Sequence, residues 1–399
     1  MRNWETFGWE KRCFEISYRL ARTSFFLFCV SMVFLCSPYV GSAEHFCPDA
    51  PLVTARAAVL LDANSGQVLF EKNAGQRMPP ASTTKIMTAL LALEGGNLQS
   101  LVTVSPWAAT VGEASLDLRA GEKLTLEELI FGALLESGND ACVAIAEHVA
   151  GTEKHFVTLM NQKAMMLGAM DTNFKNTNGL PAPGHYTTAR DLAVITRHAL
   201  GNPIFKEIVS TRQKTIGGNR ERHLNNTNRM LWSYSWADGV KTGTTNEAGQ
   251  CLVASGTIDG RQVISVVLNS ENRWRDSTVL LNHGHEHFEN QRVFDANEIF
   301  ATIPVKEGDV REIKALVPEE YTVVIPKGRP DLIDLRYNIR EVLYAPVTRG
   351  DFVGNVTVSV NGRYAGSVDL VSDRQVTRKN VLRLFLEKIF KPSVTGYGR

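Results

Sequence analysis

Ser82 and Lys85 are spaced so that a hydroxyl and an amine could act together as a nucleophile and its base. They lie in ASTTKIMTALLAL (81–93), where small polar residues give way to an apolar run typical of a buried helix. One helical turn separates them, so we expect both side chains on one side. The pKa of a lysine amine in water is near ~10.4, but burial or a nearby second cation lowers it until the neutral amine can accept a proton. The serine could then attack a carbonyl carbon, with backbone N–H groups at the helix start stabilising the oxyanion.

This pair is a weak signal when it stands alone. A Ser-x-x-Lys pattern arises by chance about once in a chain of this length. The alternative interpretation is an N-cap serine followed by a lysine whose amine extends to solvent. A catalytic interpretation therefore needs further polar motifs that the fold brings to the same place.

A second candidate motif is Ser137-Gly138-Asn139, which interrupts the apolar helical runs LIFGALLE and DACVAIAEHVA. The break predicts a turn that presents the serine and the asparagine. A hydroxyl there could pass a proton to a leaving amine, and a carboxamide could hold a substrate amide. The same Ser-x-Asn spacing recurs at residues 270–272, so spacing alone does not select the site.

A third candidate motif, Lys241-Thr242-Gly243, precedes CLVASGTIDGRQVISVVLN (251–269), a hairpin pattern with Asp-Gly at its turn. We therefore expect the motif on an edge strand that lines a cleft. The lysine and threonine could bind a carboxylate, and the glycine lets an extended substrate approach the backbone. Lys241 could also be the second cation that lowers the pKa of Lys85. A surface strand with an isolated lysine is the alternative.

These motifs require elements that hold them, and a chain of 399 residues favours two domains. ARAAVLLDANSGQVLFEKN (55–73) predicts a hairpin, helical patterns dominate over 82–200, and a helical segment near 276–300 follows the second hairpin. Outer strands with helices between them indicate an α+β fold with an antiparallel sheet, which we place at residues 44–303. Alternating apolar and polar residues predict a small all-β domain at 304–375.

Both ends of the chain carry patterns typical of export or membrane binding. Basic residues precede the apolar run FFLFCVSMVFLC (25–36), and small residues follow it up to Ala43, so residues 1–43 are predicted to be a signal peptide. A short uncleaved anchor is the alternative.

The segment near the carboxyl end, VTRKNVLRLFLEKIFKPS, places apolar residues on one helical face and basic residues on the rest. This pattern predicts an interfacial helix on the membrane surface at 376–391, followed by a tail at 392–399. A terminal helix packed on its own protein is the alternative there.

Composition narrows the remaining classes of function. Lys and Arg total 43 against 42 Asp and Glu, and no basic stripe interleaves with aromatic residues, so nucleic acid is not an expected partner. Beyond the predicted signal peptide, Cys47, Cys142 and Cys251 form an odd, widely spaced set that fits neither a disulfide framework nor a zinc site. We expect Cys142 and Cys251 to be buried apolar residues. We predict neither a metal nor an organic cofactor.

Taken together and in this order, the three motifs resemble those of low-molecular-mass penicillin-binding proteins, the serine-type D-alanyl-D-alanine carboxypeptidases with an active-site Ser-x-x-Lys. The segments PASTTKIMTA, LLESGNDACVAIAEHVAG, FKNTNGLPAPGHYTTARDLA and DGVKTGTTNEAGQCLVAS are similar to family blocks. The resemblance implies a penicillin-binding-protein/β-lactamase-like transpeptidase domain of the α+β class, a small all-β domain and an amphipathic C-terminal helix. It also implies an exported enzyme of cell-wall biogenesis at the outer face of the bacterial cytoplasmic membrane.

The resemblance further implies a role for each site residue. Ser82 would attack the carbonyl between the two terminal D-alanines of a peptidoglycan stem pentapeptide, with Lys85 as base and Ser137 assisting proton delivery to the departing D-alanine. β-Lactam antibiotics would mimic that dipeptide and leave a long-lived ester. Backbone N–H groups of Ser82 and Thr244 would form the oxyanion hole. The residues expected to contact substrate are Asn139, Lys241, Thr242, Gly243, Thr244 and Arg273.

Some assignments stay open from the sequence. Arg273 resembles the family's carboxylate-binding arginine, but Arg275 lies close enough to replace it, and Arg229 is a third candidate or a structural residue. ERHLN (221–225) resembles the E-x-x-L-N stretch of class A β-lactamases, although it lies nearer Lys241 than that loop should. The sequence also leaves open a D,D-transpeptidase, which transfers the acyl group to an amine, and a non-catalytic binder on the same fold.

Overall fold

The computed structural model describes residues 50–217 and 220–380. The helices are α1 (Lys85–Gly95), α2 (Leu126–Leu135), α3 (Asn139–Ala150), α4 (Glu153–Met166), α5 (Ala189–Leu200), α6 (Pro203–Ser210), α7 (Met230–Ser233) and α8 (Arg273–His287). The strands are β1 (Ala57–Asp62), β2 (Val68–Lys72), β3 (Leu101–Thr103), β4 (Lys123–Thr125), β5 (Gln213–Ile216), β6 (Arg222–Asn225), β7 (Ala237–Thr245), β8 (Gly249–Ile258), β9 (Arg261–Ser270), β10 (Phe288–Phe294), β11 (Ile299–Lys306), β12 (Glu312–Leu316), β13 (Tyr321–Pro326), β14 (Ile333–Ile339), β15 (Leu343–Tyr344), β16 (Phe352–Val360) and β17 (Arg363–Ser372).

An antiparallel five-stranded sheet in the order β2-β1-β9-β8-β7 forms the centre of the first domain. Both predicted hairpins are present, and Asp259 and Gly260 at the tighter turn have φ values of 50° and 78°, as a two-residue hairpin turn requires. Every residue of β1 is buried, because helix α8 packs on one face of the sheet and helix α5 packs on the opposite face. The predicted α+β fold with an antiparallel sheet is therefore confirmed.

The helical part is built around α1, whose residues from Lys85 to Leu90 are buried. A capping box of Thr125 and Glu128 starts α2, because each side chain binds the other residue's backbone N–H. The predicted break after α2 is present, and α3 begins at Asn139 directly after it. Cys142 in α3 and Cys251 in β8 are buried, as predicted.

The all-β domain begins earlier than predicted. Helix α8 ends at His287, and residues 288–294 form β10, which pairs with β13. The helical segment expected to reach residue 300 and the domain boundary expected at 303/304 are therefore wrong, since β11 crosses that boundary. A six-stranded sheet in the order β14-β16-β17-β12-β11-β15 completes the domain.

The end of the described chain is extended. Val376 is buried and exchanges two backbone hydrogen bonds with Val347, and Arg378 forms a bridge with Gly308. A helix beginning at residue 376 is therefore wrong over 376–380. The rest of the predicted interfacial helix and tail, and the predicted signal peptide, lie outside the described residues. Within 50–217 and 220–380, no helix has both the length and the apolar character needed to cross a membrane.

Candidate active site

Ser82 lies in a 3₁₀ turn, Ala81–Thr84, that leads directly into α1. We call Ala81–Thr84 the nucleophile turn. Ala81 has a φ of 48°, a left-handed conformation that non-glycine residues adopt rarely and that the surrounding contacts must maintain. Lys85 is the first residue of the helix, and its Nζ lies 3.0 Å from Ser82 Oγ. The predicted approach of the two side chains is therefore confirmed.

The Lys85 amine is buried among oxygen atoms. Besides Ser82 Oγ, Nζ donates to Asn139 Oδ1 at 2.8 Å and to the backbone oxygen of Asn178 at 2.7 Å, and the residue has no exposed surface. Burial disfavours the charged form and lowers the pKa of Lys85 to about 8. The site thus keeps a lysine that can be neutral close to physiological pH.

The turn between α2 and α3 faces the same place. Ser137 has a φ of 66°, is 8% exposed, and its hydroxyl has no hydrogen-bond partner among the described residues. Asn139 holds the lysine through Oδ1 and donates from Nδ2 to the backbone oxygen of Gly112 at 2.9 Å. Asp140 fixes the loop before this turn, because its carboxylate accepts hydrogen bonds from the backbone N–H groups of Leu116 and Leu118.

Lys241 and Thr242 lie on β7, the edge strand of the five-stranded sheet, as predicted. Lys241 is 1% exposed, and its Nζ donates to the backbone oxygen of Thr242 at 3.2 Å. Burial, with a smaller contribution from the charge of Lys85, lowers the pKa of Lys241 well below its usual value. Thr242 Oγ1 lies 2.8 Å from Thr227 Oγ1, so the loop before α7 positions this hydroxyl.

Gly243 lets β7 lie directly against the nucleophile turn. A methyl group at this position would lie 3.1 Å from Pro80 O, Ala81 Cβ and the backbone nitrogen of Ser82. That distance is shorter than a comfortable contact, so only glycine fits without displacing the backbone. The strand and the nucleophile turn therefore share one cleft.

Arg273 reaches the end of β7, and Arg275 does not. Nη1 of Arg273 donates to the backbone oxygen of Gly243 at 3.0 Å and to Thr244 Oγ1 at 2.8 Å. Arg275 is exposed, and its backbone N–H bonds to Asn272 at the start of α8. Arg229 is exposed beside α7, close enough for its charge to lower the pKa of Arg273 further, after the larger effect of burial. The structure thus brings Arg273 into the site.

Two segments that resemble site motifs serve other purposes. Ser270 is buried and donates to Asp276 at 2.7 Å, so the second Ser-x-Asn pattern anchors helix α8. Glu221 is exposed beside the β5–β6 hairpin, and it has no hydrogen bond to the residues described above.

Sequence patterns alone do not point to Asn178, Thr227 and His185. Asn178 contributes a backbone oxygen, which carries no residue-type signal. His185 Nε2 lies 3.0 Å from Thr84 Oγ1, and its Nδ1 accepts from the backbone N–H of Lys175, which fixes the proton on Nε2. Burial lowers the pKa of His185 to about 4, so it holds the nucleophile turn as a neutral ring. For Asn178 and His185, the resemblance of the segment FKNTNGLPAPGHYTTARDLA is the one available signal.

The chain matches known proteins over both domains. The family described as D-alanyl-D-alanine carboxypeptidase, Peptidase_S11, matches residues 44–272, and the family described as Penicillin-binding protein 5, C-terminal domain, matches residues 288–378. The second match begins where β10 begins. The chain is 37% identical over 349 residues to the D-alanyl-D-alanine carboxypeptidase DacC of Escherichia coli (strain K12), a match that covers 84% of this chain and 86% of the relative.

Solved structures agree with this match. Penicillin binding protein 5 from Haemophilus influenzae is 32% identical, with a TM-score of 0.74 over 83% of this chain and 100% of that chain. A mutant of the Streptomyces K15 DD-transpeptidase is 34% identical, with a TM-score of 0.57 over 59% of this chain and 99% of that chain. The chain therefore belongs to the D-alanyl-D-alanine carboxypeptidase family and is a serine-type carboxypeptidase with a penicillin-binding-protein fold.

Proposed function

We propose that this enzyme removes the terminal D-alanine from peptidoglycan stem pentapeptides through an ester on Ser82. The observation that carries the proposal is the buried Lys85 amine, which lies 3.0 Å from Ser82 Oγ and 2.8 Å from Asn139 Oδ1. A buried lysine with a lowered pKa beside a serine hydroxyl is the arrangement that nucleophilic catalysis needs.

Acylation follows from these positions. The protonated Lys85 amine has one N–H for each of its three oxygen partners, so its neutral form can turn a lone pair to Ser82 and accept the hydroxyl proton. Ser82 Oγ forms a bond to the carbonyl carbon, and the oxyanion is held by the backbone N–H groups of Ser82 and Thr244. The C–N bond then breaks, and the proton that Lys85 took from Ser82 reaches the departing amine through the Ser137 hydroxyl, which takes up one proton as it gives up another. Water hydrolyses the ester in a second step, whereas a penicillin remains attached.

The site recognises the carboxyl terminus of the substrate by binding its terminal carboxylate. Lys241 and Thr242 supply an amine and a hydroxyl at the β7 edge, and Arg273 adds a guanidinium that is already held by Gly243 and Thr244. Such charge-assisted hydrogen bonds are stronger than neutral ones. Asn139 orients the peptide amide on the other side of the cleft.

A paired assay tests this function. The protein is incubated with a fluorescent penicillin and, separately, with a pentapeptide ending in D-Ala-D-Ala. We expect covalent labelling and free D-alanine, and we expect Ser82→Ala to abolish both while the circular dichroism spectrum stays unchanged. Labelling that persists in Ser82→Ala would show that another residue is the nucleophile. Rapid penicillin turnover would instead indicate a β-lactamase.

Transfer of the acyl group to an amine is the second candidate, because the K15 DD-transpeptidase shares this fold. Adding an amino-acid amide to the pentapeptide assay separates the two reactions. We expect D-alanine and tetrapeptide to appear in equal amounts. A peptide joined to the amide would support the transpeptidase.

We also propose export, and attachment to the outer face of the cytoplasmic membrane through residues 381–391. The basic and apolar pattern of that segment supports the proposal. Truncation after Asn380 is the appropriate test, since Val376 belongs to the β-domain core and must be kept. We expect the truncated protein to lose binding to vesicles that contain anionic lipid. Unchanged binding would refute the anchor.

A further inference from the structure

A groove of about 500 Å³ opens beyond the carboxyl end of β7. Arg77, Tyr186 and Glu247 line it together with the segment Pro181–His185. A smaller recess shares part of this lining and adds Pro80 and Thr245. Because Pro80 precedes the nucleophile turn and Thr245 ends β7, the recess lies between the active-site segments and the groove.

The course of the substrate leads into this groove, an argument that depends on the proposed function. The terminal carboxylate lies at Lys241 and Thr242, and the scissile carbonyl lies between Ser82 and Thr244. The rest of the peptide must then continue along β7 past Thr245. An extended chain advances ~3.3 Å per residue, and the scissile carbon belongs to the fourth residue, so the α-carbon of the third residue lies roughly 5 Å beyond it.

The groove carries charges of both signs. Glu247 is exposed and has no hydrogen bond or ion pair within the described parts of the chain. Arg77 gives Nε and Nη2 to Asp171 Oδ1 and lies over the ring of Tyr186, which leaves Nη1 without a described partner. A carboxylate on one wall and a guanidinium on another suit a ligand with both an ammonium and a carboxylate.

We infer that this groove binds the side chain of the third stem-peptide residue, and that it favours a side chain ending in both an ammonium and a carboxylate. Glu247 binds the ammonium, and Nη1 of Arg77 binds the carboxylate. A side chain that ends in an ammonium alone, such as lysine, uses only Glu247. Arg77 thus discriminates between the two side chains, whereas Glu247 binds both, and neither residue contacts the reacting atoms.

Two pentapeptides that differ only at residue three test the inference. One carries lysine and the other carries a diamino acid with an additional terminal carboxylate. We expect kcat/KM to be about fivefold higher for the second peptide, which is the size of one exposed ion pair. Arg77→Met should bring the ratio of the two values to about one, while Glu247→Gln should lower both values and leave the ratio unchanged.

Matched controls are Arg349→Met and Glu319→Gln, which change exposed residues of the β domain and should keep the wild-type ratio. Because the ratio compares two peptides on one protein, a general loss of folded enzyme cancels. Equal kcat/KM values in the wild type, or an unchanged ratio in Arg77→Met, would overturn the inference alone. Failure of both peptides to release D-alanine would overturn the proposed function, and the inference with it.

Discussion

Two buried lysines, Lys85 and Lys241, lie at the centre of this site. Burial is the main cause of the lowered pKa of each, and the charge of Lys85 acts further on Lys241. The sequence suggests Lys241 as the cation that lowers the pKa of Lys85, whereas in the structure burial lowers that pKa, and the nearby Cys142, Asp140 and Glu113 act in the opposite direction. The site therefore favours states in which at least one of the two amines is neutral.

The rate of acylation should depend on the protonation of Lys85. Below its pKa of about 8 the amine carries a proton and cannot accept another, so the acylation rate constant should fall about tenfold per pH unit on acidification. Above about pH 8 the rate should reach a plateau. Labelling by a fluorescent penicillin from pH 6 to 9 measures this, with circular dichroism to confirm folding. A flat profile across that range would exclude Lys85 as the base.

Substituting Arg273 and Arg275 separately by alanine tests which of the two arginines binds the substrate's carboxylate. Arg273→Ala removes the guanidinium from Gly243 and Thr244, and we expect kcat/KM for the pentapeptide to fall by about tenfold to a hundredfold, the range for a hydrogen bond to a charged group. Arg275→Ala should leave kcat/KM within about twofold, because that side chain is exposed. The reverse result would show that Arg275, and not Arg273, binds the substrate's terminal carboxylate.

Residue types with catalytic chemistry could be predicted from the sequence, whereas backbone contributions could not. Ser82 and Lys85 lie together because their spacing along the chain fixes the directions of both side chains, whereas Asn139 joins them because α3 packs against α1. The oxygen of Asn178 belongs to the main chain and is available at any residue type. Whether Arg273 or Arg275 points to β7 depends on the rotation of α8 about its axis. The sequence around these two neighbouring positions does not reveal that rotation.

At the scale of elements, the contact between β7 and the nucleophile turn controls the site. Gly243→Ala places a methyl group 3.1 Å from Pro80 O and Ser82 N, so the strand or the turn must shift. We expect penicillin acylation to slow by more than about tenfold, since small displacements at a reacting centre have large effects. Gly75→Ala is the control, because its nearest neighbour would be 3.8 Å away. Equal acylation rates in the two variants would show that the close approach is unimportant.

The hairpins were predictable because their turns have a distinctive chemistry, as at Asp259-Gly260 and at Asn361-Gly362, where φ is positive at both residues. The end of α8 was not predictable from its pattern. Residues 289–292 of this segment are all polar, and pairing with β13 decides that residues 288–294 form a strand. That partner lies about thirty residues further along the chain, so local periodicity could not indicate it.

At the scale of the whole molecule, Asp276 connects the start of the described chain to α8. Its buried carboxylate accepts hydrogen bonds from Thr54, Ala55 and Ser270. Burial opposes ionisation, but these hydrogen bonds prevail and lower the pKa of Asp276. The stability that they contribute is therefore present above the unfolded pKa near ~3.9 and is lost as the pH falls through the folded value.

Asp276→Asn should lower the free energy of unfolding by about 2 kcal/mol at pH 7, because a charged acceptor is replaced by a neutral amide. The difference from wild type should narrow as the pH falls below ~4. Urea unfolding at several pH values measures this. Asp369→Asn, at an exposed position, is the control and should have little effect. A difference that stays constant with pH would mean that the carboxylate's charge is not responsible.

The pairing of Val376 with Val347 has a mechanical consequence. Thr377 and Asp309 exchange hydrogen bonds next to it, and Lys379 donates to Glu307, so the chain is fastened at successive points before residue 380. Tension on the carboxyl end would be borne by the part of the β domain around Val347, Asp309 and Glu307, and it would have to break these hydrogen bonds one after another before the preceding strand could be pulled out. The cleft around Ser82 would thus be shielded from pulling forces for as long as they hold.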